Sequence, residues 1–350
     1  MYYSTIYLKD IETASRAIPN IEFLKNKSIL VTGGCGLIGS AVIDMLLSCN
    51  GLFGLGASIS VGARNWQVYE ERFKGSPYFR DCGFEQYDAL KRLKLSQDFD
   101  FIIHMANMSN PALYDQKPVE TIYSIYEGTK NVLEYAARKS SCRVLYISSS
   151  EIYGANESGN PYEEGDYGYF DILNPRACYP SGKRVAETLC SAYAKEYDVD
   201  IVIARPGHVY GPTAKKGDNR VSSMFFYEAF EGKDLVLKSS GTQIRSYCYV
   251  PDCASAILTI LLKGGSGEAY NISNVSSICT IRELVEEIAK VSERKVVFTK
   301  ATDAERKNFN LMENASLRSD RLEQLGWKGN FELAIGVKHT YEIIRERIKK

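Results

Sequence analysis

The stretch Lys27-Ser28-Ile29-Leu30-Val31-Thr32-Gly33-Gly34-Cys35-Gly36-Leu37-Ile38-Gly39 decides how the chain folds. Its apolar start reads as a strand, and the apolar run from Leu37 to about Leu47 reads as a helix. Between them, Gly33, Gly36 and Gly39 carry the spacing of a three-glycine dinucleotide turn. The first glycine permits a tight turn, the second leaves room for a pyrophosphate, and the third lets the helix press on the strand. The helix start at Leu37 and Ile38 offers free amides and a partial positive charge to that pyrophosphate. A plain strand-to-helix turn is the alternative reading, and the strand and helix on either side argue against it.

Working outward, short apolar runs at 59–61, 101–104, 144–148 and 201–204 read as further strands, with helical patterns at 119–137 and 181–194. That alternation predicts an α/β fold with a Rossmann-type, doubly wound parallel sheet covered on both faces. Beyond about residue 211 the rhythm loosens. Strand candidates at 235–237 and 247–250 mix there with helices at 254–262, 281–291 and 333–348. The expected organisation is a helical extension over 1–26, an NAD(P) domain over 27–210, and a smaller α/β substrate region over 211–350. Some segments of the last region are expected to return to the first domain. It should sit at the carboxyl edge of the sheet, where such folds bind ligands.

Composition narrows the function classes. With 43 Lys plus Arg against 43 Asp plus Glu, no global field draws nucleic acid or an anionic membrane. The first residues lack the charged-then-apolar order of a signal peptide, and no apolar run reaches membrane-spanning length. Nine cysteines without a CxxC pair read as reduced core residues of a cytoplasmic protein. His104, His208 and His339 lie far apart, so no metal site is expected.

Two further stretches carry chemistry. The second strand ends Ala63-Arg64-Asn65, without the Asp or Glu that usually holds the ribose hydroxyls of NAD. Arg64 can instead pair with a 2′-phosphate or simply face solvent, so NAD and NADP both stay open. Asp88, followed by Ala89, stands where an adenine-contacting acid can sit. Farther on, Tyr179-Pro180-Ser181-Gly182-Lys183 puts a phenol and an ammonium on one face of a helix start. A phenol of pKa about 10 becomes a base at neutral pH only when positive charge favours its anion. Upstream, Ser148-Ser149-Ser150-Glu151 follows a strand directly, placing a hydroxyl that can hold the oxygen whose proton Tyr179 takes.

With glycine turn, strand-end serines and tyrosine–lysine helix in this order, the chain resembles the extended short-chain dehydrogenase/reductase (NAD-dependent epimerase/dehydratase) family over residues 27–328. The resemblance implies a tightly bound NAD or NADP regenerated in each turnover, and a nucleotide-sugar substrate, UDP-linked. It assigns Ser149, Tyr179 and Lys183 to a catalytic triad, and Ala89 and Ala106, beside the glycine turn and Asp88, to the cofactor. It also implies a homodimer through a four-helix bundle built from the 119–137 and 181–194 helices.

Within that family the likeness is greatest to the UDP-glucuronate decarboxylases. It is carried by Pro175-Arg176-Ala177-Cys178-Tyr179, Gly182-Lys183-Arg184-Val185-Ala186-Glu187, Asp218-Asn219-Arg220-Val221 and Asn110-Pro111-Ala112-Leu113-Tyr114. It implies that Glu151 and Arg220 handle the sugar carboxylate and the protonation that follows loss of carbon dioxide. Tyr114 would help hold the carboxylate, Ser150 would line the sugar site, and Arg245 would grip the diphosphate. Ser150 replaces an Asp found in many 4,6-dehydratases. Other departures are His208, where an Asn usually meets the phosphates, and Ile125, in place of another common Asn. Plainer roles stand beside these: a local cap for Glu151, a solvated Arg220, loop packing for Tyr114, core filling for Cys178, and packing or phosphate contact for His208. A 4-epimerase or 4,6-dehydratase shares the oxidation step and stays open. A non-catalytic dinucleotide sensor is disfavoured by the intact triad.

Overall fold

The computed structural model describes residues 3–109, 111–139, 141–155, 159–302 and 312–348. Seven strands form one parallel sheet: β1 (Ser28–Thr32), β2 (Ser58–Ala63), β3 (Cys82–Gln86), β4 (Phe101–His104), β5 (Arg143–Ile147), β6 (Ile201–Pro206) and, from much later in the chain, β10 (Ala269–Ile272). Their spatial order is β10-β6-β5-β4-β1-β2-β3. Val31 of β1 pairs with Val61 on one side and Ile103 on the other.

Alternate residues of β1 feed two cores, because successive side chains point to opposite faces. Ile29 and Val31 join the cluster under α2 (Leu37–Phe53) and α8 (Val250–Lys263). Leu30 joins the cluster under α5 (Pro118–Ala136) and α6 (Cys178–Tyr197). The five strands read from sequence are those with long buried runs. The unread ones, β3 and β10, are the two edges. Strand β3, Cys-Gly-Phe-Glu-Gln, is half exposed and lacks β-branched residues.

The strand order reverses between β1 and β4, which opens a crevice at their carboxyl ends. There Thr32 Oγ1 and His104 Nδ1 share a buried 2.8 Å hydrogen bond. Over this edge lies a second layer. In it β9 (Ile244–Tyr249) pairs with β7 (His208–Tyr210), β11 (Ile278–Thr280) and β13 (Asn314–Ala315), and β8 (Leu235–Leu237) pairs with β12 (Val296–Phe298). Helices α7 (Val221–Phe230) and α9 (Ile281–Ser292) cover it.

The N-terminal helix α1 (Thr5–Arg16), expected as an extension ahead of the fold, is built into the core. Tyr7, Ile11 and Ala14 are fully buried. The Tyr7 hydroxyl donates to Asp44 of α2 at 2.7 Å, and Asp44 pairs with buried Arg72 at 3.1 Å. Asp10 accepts from Tyr249 at 2.9 Å and lies 2.9 Å from His339 Nδ1. Among the described residues, no helix is long and apolar enough to cross a membrane.

Candidate active site

The glycine turn forms the first wall. Gly33 leaves β1 at φ +72°, and a Cβ there would stand 3.0 Å from the Ala106 backbone. A Cβ on Gly39 would stand 2.5 Å from the Gly33 carbonyl, so only glycine lets α2 start this close to the strand. Gly36 caps α2 without a side-chain bond, leaving the first amides of the helix, at Leu37 and Ile38, facing the crevice. This is a cradle shaped for a dinucleotide pyrophosphate. Arg64 sits exposed at the end of β2, and Asp88 caps Leu90 N at 3.1 Å beside Lys91. Ala89 packs beneath α5, where its carbonyl accepts from Asn131 at 3.1 Å. Arg64, Asp88, Ala89 and Ala106 lie outside the main cleft, whereas Gly33, Gly36, Leu37, Ile38 and Gly39 line it.

That cleft, about 720 Å³, runs between the sheet edge and the second layer. It gathers Ser149, Ser150, Glu151, Tyr179, Lys183, Tyr114, His208, Arg220 and Arg245, contributed by segments far apart in sequence. Tyr114 comes from the short helix α4 (Pro111–Gln116). Asn110 lies outside the described residues. Strand β5 ends at Ile147, and a 3-10 turn over Ser150–Tyr153 follows. The Ser149 hydroxyl accepts from Glu151 N at 3.2 Å, which turns Glu151 into the cleft.

Burial dominates both members of the tyrosine–lysine pair. Burial pushes the Tyr179 phenol up to about 12; Glu151 adds to that rise, and the Ser149 hydroxyl, Arg220 and the Tyr114 hydroxyl oppose it. Lys183, only 1% exposed, is pushed down to about 7 by burial, with Glu187 and Cys190 opposing. Its ammonium donates to the Ile147 carbonyl at 2.6 Å and lies 5.8 Å from the centre of the Tyr179 ring. The sequence expectation rests on this ammonium together with a positive nicotinamide ring; among the protein's own groups, burial sets the direction of the Tyr179 phenol.

A further arginine completes the site. Arg176 donates to Glu151 Oε2 at 3.0 Å, and its guanidinium lies 4.8 Å from the centre of the Tyr114 ring. Tyr114 in turn stacks on Tyr179, with centroids 4.6 Å apart and planes at 14°. The sequence alone assigned Arg176 no role; its place three residues before Tyr179, at a helix start, was the available signal. Arg220 sits at the start of α7 with its Nε 3.1 Å from Asp218. Arg245 is 3% exposed and has no carboxylate partner among the described residues.

His208 is held neutral: burial, then Arg245, pushes its imidazole down to about 3. Its Nδ1, like Asn107 Oδ1 and Ser148 Oγ, is buried without a hydrogen-bond partner among the described residues. All three residues line the cleft, so it holds polar atoms that a ligand can satisfy. Ile125 serves packing instead: a Cβ on Gly182 of α6 would meet its Cδ1 at 3.1 Å.

The model of the NAD dependent epimerase/dehydratase family matches residues 29–273. A UDP-glucuronic acid decarboxylase of Arabidopsis thaliana is 32% identical over 332 residues, covering 93% of this chain and 91% of that one. Its counterpart in Xenopus tropicalis is 29% identical, covering 95% and 76%. Among solved structures, an epimerase of Methanothermobacter thermautotrophicus superposes with a TM-score of 0.79 at 22% identity, covering 97% of this chain and 96% of that one. At that identity the likeness is one of fold.

Proposed function

The chain belongs to the NAD-dependent epimerase/dehydratase family, and on that premise we propose that it oxidises a UDP-linked uronic acid at C4 and decarboxylates it. One observation carries the reading: Glu151 and Arg220 act on the buried Tyr179 hydroxyl and Arg176 pairs with Glu151 at 3.0 Å, so two guanidiniums and one carboxyl group line the place a sugar carboxylate would take. The relatives named for the same reaction support it.

Gly33, Gly36, Leu37, Ile38 and Gly39 would cradle the pyrophosphate of NAD or NADP, with Lys183 on its ribose, and the nicotinamide would supply reversible hydride exchange with the sugar C4. Tyr179 takes the C4 hydroxyl proton while Ser149 holds the oxygen. Once C4 is a ketone, the C5 carboxylate is β to a carbonyl and leaves as carbon dioxide. Ser149 and Tyr179 then stabilise the enolate oxygen. Glu151 and Arg220, steadied by Arg176 and with Tyr114 and Ser150 beside the sugar, hold the carboxylate and manage the proton that C5 gains. Arg245 and His208, both lining the cleft, would meet the diphosphate. On this reading residues 27–210 mainly carry the cofactor and 211–350 mainly the substrate. Asp88, Ala89 and Ala106 border the adenosine half.

We assign the molecule to the cytoplasm, where its nine free thiols stay reduced. We also assign a homodimer through α5 and α6, which leave Val119, Tyr123 and Val185 at least half exposed. Carboxyl-labelled UDP-glucuronate tests the reaction. The wild type should release labelled carbon dioxide, and Tyr179→Phe should lose roughly 10²- to 10⁴-fold in rate. Conversion of that substrate to UDP-galacturonate, with no label released, would make the enzyme a 4-epimerase. A non-catalytic sensor would turn over neither.

A further inference from the structure

The carboxyl end of β2 departs from what a dinucleotide lacking a 2′-phosphate requires. In doubly wound folds the adenosine ribose passes this point, and an acid there accepts from its two hydroxyls. Here β2 ends at Ala63, followed by Arg64 and Asn65. Neither is an acid. The Asn65 side chain is occupied, accepting from Val68 N at 3.0 Å as the cap of α3 (Trp66–Phe73). Asp88, at the end of the neighbouring strand, is bound to its own turn through Leu90 N.

Arg64, by contrast, is exposed and has neither a hydrogen bond nor an ion pair among the described residues. Its position is fixed by the scaffold. Gly33 N donates to the Gly62 carbonyl at 3.0 Å, and a Cβ on Gly62 would stand 3.1 Å from Thr32 Cα. The end of β2 is thus locked against the glycine turn that cradles the pyrophosphate. Arg64, two residues beyond that contact, therefore follows the strand end that an adenosine ribose passes in doubly wound folds.

We propose that Arg64 grips a 2′-phosphate and that this protein takes NADP at least as readily as NAD. A phosphomonoester carries nearly two negative charges near neutral pH, and a guanidinium meets it through paired N–H donors. The acid that serves NAD would repel the same group, and its absence removes that penalty. Because the cofactor is regenerated within each turnover of the proposed reaction, this choice changes which dinucleotide occupies the protein, not the chemistry at the sugar.

Titration calorimetry of the full chain with NADP and with NAD, without sugar substrate, tests the proposal. Where nucleotide copurifies, its displacement by each dinucleotide gives the same ratio. The wild type should bind NADP at least as tightly as NAD. Arg64→Ala should weaken NADP roughly ten- to a hundredfold, the worth of a charge-assisted bond, with little change for NAD. Arg64→Asp should reverse the preference, and retained NAD binding reports that a variant is folded. A wild type that prefers NAD, or an Arg64→Ala variant with an unchanged ratio, overturns the proposal. If a variant binds neither dinucleotide, the wild-type ratio decides alone. No sugar enters these titrations, so failure of the decarboxylase reading would leave their outcome intact.

Discussion

At Tyr179, burial and chemistry pull in opposite directions. A phenol pushed up to about 12 holds its proton in the protein alone, so the base role proposed for it requires positive charge brought by its ligands. The residues around it set that balance, and Arg176 is the one to remove. Arg176→Met leaves Glu151 without its 3.0 Å partner and Tyr114 without the guanidinium over its ring. Steady-state kinetics should show kcat/KM lower by roughly ten- to a hundredfold. Arg176→Lys should recover only part, since an ammonium lacks the planar fork. Unchanged kinetics in Arg176→Met would remove it from the site. His104 makes a pH prediction. Burial, then Lys183, pushes its imidazole from 6.5 down to about 3, so the unfolded chain binds a proton that the folded chain refuses. Stability is therefore full above pH 6.5 and is lost as pH falls toward 3. By pH 5 the wild type should lose about 2 kcal/mol through this group, and His104→Asn should lose correspondingly less on urea unfolding. A pH-independent gap between the two would contradict it.

At the scale of elements, the glycine turn was legible because three glycines at fixed spacing answer a backbone demand that no other residue meets. Gly39→Ala places a methyl 2.5 Å from the Gly33 carbonyl and 2.8 Å from Gly34 Cα. The turn must open, at a cost of about 1–3 kcal/mol. Thermal unfolding and dinucleotide titration should show both a lower Tm and weaker binding. Wild-type values for both would contradict the packing argument. The interior strands were legible through their continuous apolar runs, and the edges β3 and β10 were not. An edge strand buried on one face, or one carrying a buried Asn as β10 does, gives no such run. The site was legible in part for a related reason. Ser149, Tyr179 and Lys183 share one strand end and one helix start, whereas the Glu151–Arg176 pair joins residues 25 apart, by a contact that no periodicity announces. Nor does spacing reveal that Lys183 is turned toward Ile147.

At the scale of the whole molecule, the two cores and the second layer meet at one crevice, and α1 ties them from behind. Its anchors, Tyr7–Asp44 and Asp10–His339–Tyr249, pair residues up to 329 apart, beyond any local reading. The remaining surface question is the face of α5 and α6. Val119→Lys with Tyr123→Lys should convert a dimer to a monomer on light scattering. A wild type that is already monomeric would contradict the assembly. The reaction itself is tested most directly by incubating the enzyme with UDP-glucuronate in deuterated water and taking the mass and proton spectrum of the product. The account predicts a UDP-pentose, lighter by carbon dioxide and carrying one deuterium at C5. A product of unchanged mass inverted at C4, or one lighter by water, would contradict it.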